Sequence, residues 1–157
     1  RLKMTRPRYQ GILASEIPVV DLEDGTKVRV ITGTVNGVHG PVRGIAADPV
    51  YIDVSVPAHA SFTHEVAHGH SAFAYVFEGD VSFDDQSVSH PKLVVFDDGD
   101  YVKAVTGDRP ARFLLVSGKP LGEQIARYGP FVMNTREEIE EALRDLRQGT
   151  FVWSEHK

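Results

Sequence analysis

The chain has no cysteine among its 157 residues. Disulfide bridges, zinc fingers, iron–sulfur clusters and thiol catalysis are therefore excluded. It also lacks an excess of positive charge: 17 Lys and Arg stand against 22 Asp and Glu, for a net charge of −5. Nucleic acid is bound through a basic face, and this balance speaks against such a partner. No apolar stretch approaches the ~20 residues of a membrane span, and no signal-peptide pattern is visible. No membrane partner is expected. The expected location is the cytoplasm, with which the lack of cysteine is compatible. Ser55, Ser61, Ser71 and Ser117 have no Gly-x-Ser-x-Gly context, so a serine nucleophile is unsupported. There is no P-loop, no dinucleotide fingerprint, no internal repeat and no low-complexity segment. The first methionine is Met4, so the chain reads as a piece of a longer protein or as a processed product.

What is present is ordinary for one globular domain with a real core: 41% apolar and 25% charged residues. The residues up to Ile17 are polar and irregular, with a basic run at Arg1, Lys3, Arg6 and Arg8, and read as a linker or lead-in strand. From there to about Ser117, short apolar runs recur between turn signals, as in a sandwich or barrel. Thr26–Thr32 is one run, opened by Asp24-Gly25. Asn36-Gly37 and His39-Gly40-Pro41 form a loop cluster. In Tyr51–Val56, Ile52, Val54 and Val56 share one face and Tyr51, Asp53 and Ser55 the other. Ala72–Phe77 is apolar on both faces and predicts a strand buried on both sides. Glu78-Gly79-Asp80 reads as the turn of a hairpin that returns through Val81–Phe83. Lys92–Phe96, Tyr101–Val105 and Ala111–Ser117 are further strands. Asp97, Asp98 and Asp100 lack the loop pattern of an EF-hand and read as a turn.

The C-terminus changes period. Thr135 and Glu138 make a capping box, and Ile139, Ala142, Leu143 and Leu146 recur at helical spacing. Arg136, Glu140 and Arg144 form i,i+4 pairs on the outer face, and Gly149 suits the position after the last turn. The apolar stripe of this helix must dock on this barrel or on a partner domain.

Several segments resemble the pirin family. They are Gly118-Lys119-Pro120-Leu121-Gly122-Glu123, Tyr128-Gly129-Pro130-Phe131-Val132-Met133-Asn134-Thr135, Val38-His39-Gly40-Pro41, Phe73-Ala74-Tyr75-Val76-Phe77-Glu78-Gly79, and the opening Lys3-Met4 … Pro7-Arg8-Tyr9-Gln10. The resemblance covers nearly the whole chain and implies the C-terminal half of a double cupin, two antiparallel β-barrels packed face to face. The implied architecture is all-β: a cupin-type antiparallel β-barrel or jelly roll with one C-terminal amphipathic helix. Residues 1–17 would be the linker or lead-in strand, 18–133 the barrel, and 134–157 the helix and tail.

The resemblance also places the family's metal, iron or another divalent ion, in the N-terminal barrel, on a His-x-His pair and a later His-x-Glu pair. Residues i and i+2 of a strand face the same side, so each pair aims two ligands inward. His64, His68 and His70, with Glu65 and Glu78 nearby, offer a tempting cluster in this chain. Aligning Tyr75-Val76-Phe77-Glu78-Gly79 on the equivalent turn puts the His-x-His positions on Glu65 and Ala67 instead. Aligning Gly99-Asp100 on the second motif puts Arg112 and Leu114 in place of His-x-Glu. Cation repulsion by arginine, and side chains without lone pairs at alanine and leucine, leave no catalytic, cofactor or metal residue to nominate. His68 and His70 read as polar residues near a barrel mouth, and Glu78 as a solvated turn residue. The family includes quercetin 2,3-dioxygenases and proteins that act through protein partners. The expectation for this chain is the non-metal-binding half of such a protein, with a regulatory or protein-interaction module as the alternative. Its expected partner is the N-terminal cupin domain, or a second copy of itself over the uncovered inter-barrel surface.

Overall fold

The computed structural model describes residues 8–152. A 3-10 turn at Ala14–Glu16 leads into β1 (Val19–Asp21) and β2 (Lys27–Thr32). Then come β3 (Thr34–Val35), β4 (Val38–His39), β5 (Val50–Val56), β6 (Ser61–Glu65) and the long β7 (Ser71–Phe83). β8 (Gln86–Ser89), β9 (Lys92–Val95), β10 (Tyr101–Val105) and β11 (Ala111–Gly118) follow. β12 (Ala126–Tyr128), β13 (Phe131–Met133) and α1 (Arg136–Gln148) end the chain's regular structure among the described residues. Backbone contacts divide the chain into a unit of Gln10–Pro120 and a smaller unit containing Leu121 onward.

The larger unit is a curled antiparallel sheet in the manner of a barrel. One part runs β1-β2-β5-β11-β7, with β9 on the free edge of β7's first half. The second half of β7 leaves that layer and pairs with β8 and β10, and β10 pairs with β6. One strand thus serves both layers. The bend falls where Glu78-Gly79-Asp80 was expected to form a hairpin turn. That expectation is corrected: β7 continues through it, with a register shift against β11 between Arg112 and Phe113. Gly79 sits at φ 72°, and a Cβ there would overlap the carbonyl oxygen of Pro110. Only glycine meets both demands. The hairpin proper turns at Asp84-Asp85, with Asp84 at φ 50°.

Alternation decides what lies inside. Along β11 the burial alternates strictly, with Ala111, Phe113, Leu115 and Ser117 inward. Val28, Val30, Ile52, Val54, Ala74, Val76, Phe113 and Leu115 are fully buried. Phe113 receives the edges of Phe62 and Phe83 at 6.2 and 5.4 Å between centroids, which joins the two layers through aromatic contacts. Burial of each large side chain contributes about 1.5–3 kcal/mol. β6, which carries His64, was not anticipated as a strand. Ala72–Phe77 was expected to be covered on both faces, but Phe73 and Tyr75 are 39% and 40% exposed.

In the smaller unit the hairpin β12–β13 carries the helix. Glu138 N–H donates to Thr135 Oγ1 at 3.2 Å, and Thr135 N–H donates to the Glu138 carboxylate at 3.0 Å, so the capping box forms as read. Gly149 closes the helix in the left-handed conformation. The stripe docks on the hairpin of its own unit, burying Ile139 and Ala142. Among the described residues no helix is long and apolar enough to cross a membrane.

Candidate functional site

The positions aligned with the metal ligands do not point into the barrel. Glu65 and Ala67 are exposed, and Arg112 and Leu114 stand on the outward face of β11. Side chains one residue apart on a strand face opposite sides. The inward residues are their neighbours. On β6 they are Phe62 and His64, with Val66 buried just beyond; on β11 they are Phe113 and Leu115. The His64 ring lies nearly parallel to that of Phe62, at 5° and 6.3 Å. Burial holds its imidazole below the ordinary value, opposed by the weaker pull of the Glu65 carboxylate. A neutral imidazole is the metal-binding form, but Phe62, Val66, Phe113 and Leu115, the buried residues of β6 and its end and of the middle of β11, bring no lone pair. This donor set does not fit a divalent metal. Among the described residues no three His, Asp or Glu side chains are placed to hold an ion.

The other histidines are dispersed. His68 is exposed in the turn after β6, where Gly69 has φ 75° and His70 N–H donates to Ala67 O at 2.9 Å. His68 and His70 therefore lie off any strand, and the i,i+2 rule for ligand pairs does not apply to them. Glu78 is exposed within β7, across from Arg112, and not in a turn. Asp97, Asp98 and Asp100 are exposed between β9 and β10. Ser117 is buried, whereas Ser61 and Ser71 are exposed.

The outward face of the first layer holds the arrangement that sequence reasoning missed. Strand register sets Tyr51, Val116, Phe73 and Val95 in one row across β5, β11, β7 and β9. The next row is Asp53, Leu114, Tyr75 and Leu93. Asp53 is only 8% exposed, although it lies on the outer face. Arg112 donates to both of its oxygens, from Nε at 2.8 Å and Nη2 at 2.6 Å, and lies over the Phe77 ring at 5.2 Å. Arg29 approaches the same carboxylate at 4.0 Å. The Asp53 hydrogen bonds, against some desolvation, hold the guanidinium above its ordinary value. The fork geometry suits a partly desolvated pair. Its only sequence signal was the alternation that put Asp53 opposite Ile52 and Val54; a partner 59 residues away is invisible until the strands pair.

This curled antiparallel sheet with an apolar interior is a cupin-type fold. Residues 51–152 match the family described as the pirin C-terminal cupin domain, and the chain belongs to that family. It is 40% identical to a pirin-like protein of Caulobacter vibrioides, over 96% of this chain and 55% of that protein. It is 35% identical to the pirin of Rattus norvegicus, over 92% of this chain and 51% of that one. The solved structure of a quercetin 2,3-dioxygenase from Acinetobacter baumannii superposes with a TM-score of 0.85 at 32% identity, covering 95% of this chain and 52% of that chain. The chain thus spans about half the length of the relatives it matches.

Proposed function

We propose that this chain is the non-metal-binding half of a two-barrel protein whose intact form is a metal-dependent quercetin 2,3-dioxygenase. Iron or another divalent ion would reside in the other barrel, and this one would brace and shield the pocket. The observation that carries the reading is an inner face poor in donors: β6 turns Phe62 inward with His64, Val66 is buried just beyond, and β11 turns Phe113 and Leu115 inward. The activity itself is taken from the name of the similar Acinetobacter baumannii protein.

Elemental mass spectrometry on the purified, untagged, chelator-free chain tests it. The expected metal content is far below one equivalent. A full equivalent of iron, nickel, manganese or zinc, lost on His64→Ala or on paired replacement of His68 and His70, would make the chain a metallo-domain and overturn the reading. The regulatory alternative separates at a second point, since it expects no flavonol turnover when this chain is reunited with its other half.

A further inference from the structure

We propose that a cleft at the charged end of the first layer's outward face binds a small linear molecule with a carboxylate at one end and an ammonium at the other, an ω-amino carboxylate. Strand register sets Lys27, Ser55, Arg112 and Glu78 in one row across β2, β5, β11 and β7. Two rows further along, the same face shows Tyr51, Val116 and Phe73, so the charges gather at one end. All four residues of the charged row line a single cleft of about 220 Å³. Pockets for drug-sized ligands begin near about 300 Å³, and this one suits a smaller molecule.

The bulge in β7 builds the cleft. The register with β11 shifts between Arg112 and Phe113, which leaves Phe77 as the extra residue. Arg112 lies over that ring at 5.2 Å and donates from Nε and Nη2 to Asp53. A guanidinium held on two sides can offer Nη1 to a ligand with little further loss of side-chain freedom. Lys27 stands on the other side of Ser55. Its ion pair with Asp21 is exposed at both partners and gives little resistance to a competing anion. Two cations flanking a hydroxyl make a seat for a carboxylate. Glu78, beyond Arg112, is exposed and has no ion-pair partner among the described residues, which suits it to an incoming cation. Neighbouring strands lie about 4.8 Å apart, so the backbones at Ser55 and Glu78 are about 10 Å apart. That span calls for several carbons between the ligand's two charges and disfavours an α-amino acid. Pro57 and Pro110 also line the cleft and give the carbon chain an apolar surface.

The test is titration of the nitrogen-labelled chain with 6-aminohexanoate at low salt, followed by amide NMR. Saturable shifts at Ser55, Arg112 and Glu78 are expected in the millimolar range. Hexanoate, which lacks the ammonium, and glycine, which lacks the length, should each bind at least about tenfold more weakly. Lys27→Met should weaken both 6-aminohexanoate and hexanoate about tenfold. Glu78→Gln should weaken 6-aminohexanoate alone, and Lys103→Met on the other layer should weaken neither. Circular dichroism and melting verify that each variant is folded. The site is overturned if 6-aminohexanoate gives no saturable shift, if the shifts centre elsewhere, or if Lys27→Met and Glu78→Gln both leave its affinity intact. Equal affinity for hexanoate or for glycine overturns the two-ended ligand. None of these outcomes depends on which barrel holds a metal, so the dioxygenase reading stands or falls separately.

Discussion

Two faces of one sheet sit a single residue apart. Val54, Phe113 and Val76 form a rung on the inner face, fully buried. Asp53, Leu114 and Tyr75 form the neighbouring rung on the outer face, where Tyr75 is 40% exposed and Asp53 is held by Arg112. A sheet with one wet face alternates apolar with polar residues. β11 instead reads Phe113-Leu114-Leu115-Val116, apolar at every step. That is the composition of a strand covered on both sides. The expectation that Ala72–Phe77 is covered on both sides fails, since Phe73 and Tyr75 remain about 40% exposed.

The largest expected effect tests whether the faces differ energetically. Phe113→Ala leaves a cavity among Phe62, Phe83 and the valines and should cost about 3–5 kcal/mol. Tyr75→Ala, on the adjacent outer rung, should cost less than about 1 kcal/mol in the isolated chain. Urea midpoints at matched m-values measure both. Equal losses would erase the distinction and mean that the outer face is already packed. Next in size is Gly79→Ala, where a positive φ combines with backbone overlap at Pro110. A loss of about 2–3 kcal/mol is expected there, because the bend lets β7 serve both layers. A variant as stable as the parent would show that the bend tolerates another route.

Arg112→Met sharpens the outer face alone. It keeps much of the stem's contact with Phe77 but leaves Asp53, 8% exposed, with Arg29 at 4.0 Å as its remaining cation among the described residues. The expected cost is about 2 kcal/mol, below the figure for a fully buried pair because Arg112 is itself partly solvated. Asp53→Asn in the same background should recover part of it, since the stranded charge is removed. No recovery would assign the loss to packing of the arginine stem.

Local signals were the legible ones. The capping box at Thr135 and Glu138, the helical stripe through Ile139 and Ala142, and the alternation of Ile52, Val54 and Val56 all appear where residue chemistry places them. Glu78-Gly79-Asp80 misled because a bulge in a continuing strand uses the same glycine as a turn. β6 was hidden because Ser61, Thr63, His64 and Glu65 make a polar strand, although Phe62, His64 and Val66 carried the period of two. That Arg112 and Leu114 face outward was not legible, because a motif alignment counts residues, whereas the strand assigns faces. The Asp53–Arg112 pair is a tertiary fact that no local pattern could carry.

His64 gives the smallest effect and bears on the inner face. Its unfolded imidazole titrates near about pH 6.5, and burial holds the folded value lower. Above about pH 6.5 both states are neutral and stability is on its plateau. As the pH falls through that value the unfolded chain takes up a proton that the folded chain refuses, so stability declines until the folded value is reached, and then levels. The ring is only partly buried, so the loss attributable to it should stay below about 1 kcal/mol. The measurement is the difference between the parent and His64→Leu in their change of unfolding free energy from pH 8 to pH 5, which removes the contribution of the other six histidines. A steeper decline in the parent is expected. Parallel curves would mean that water reaches the ring freely, and that the inner face is open at β6 where it is closed at β11.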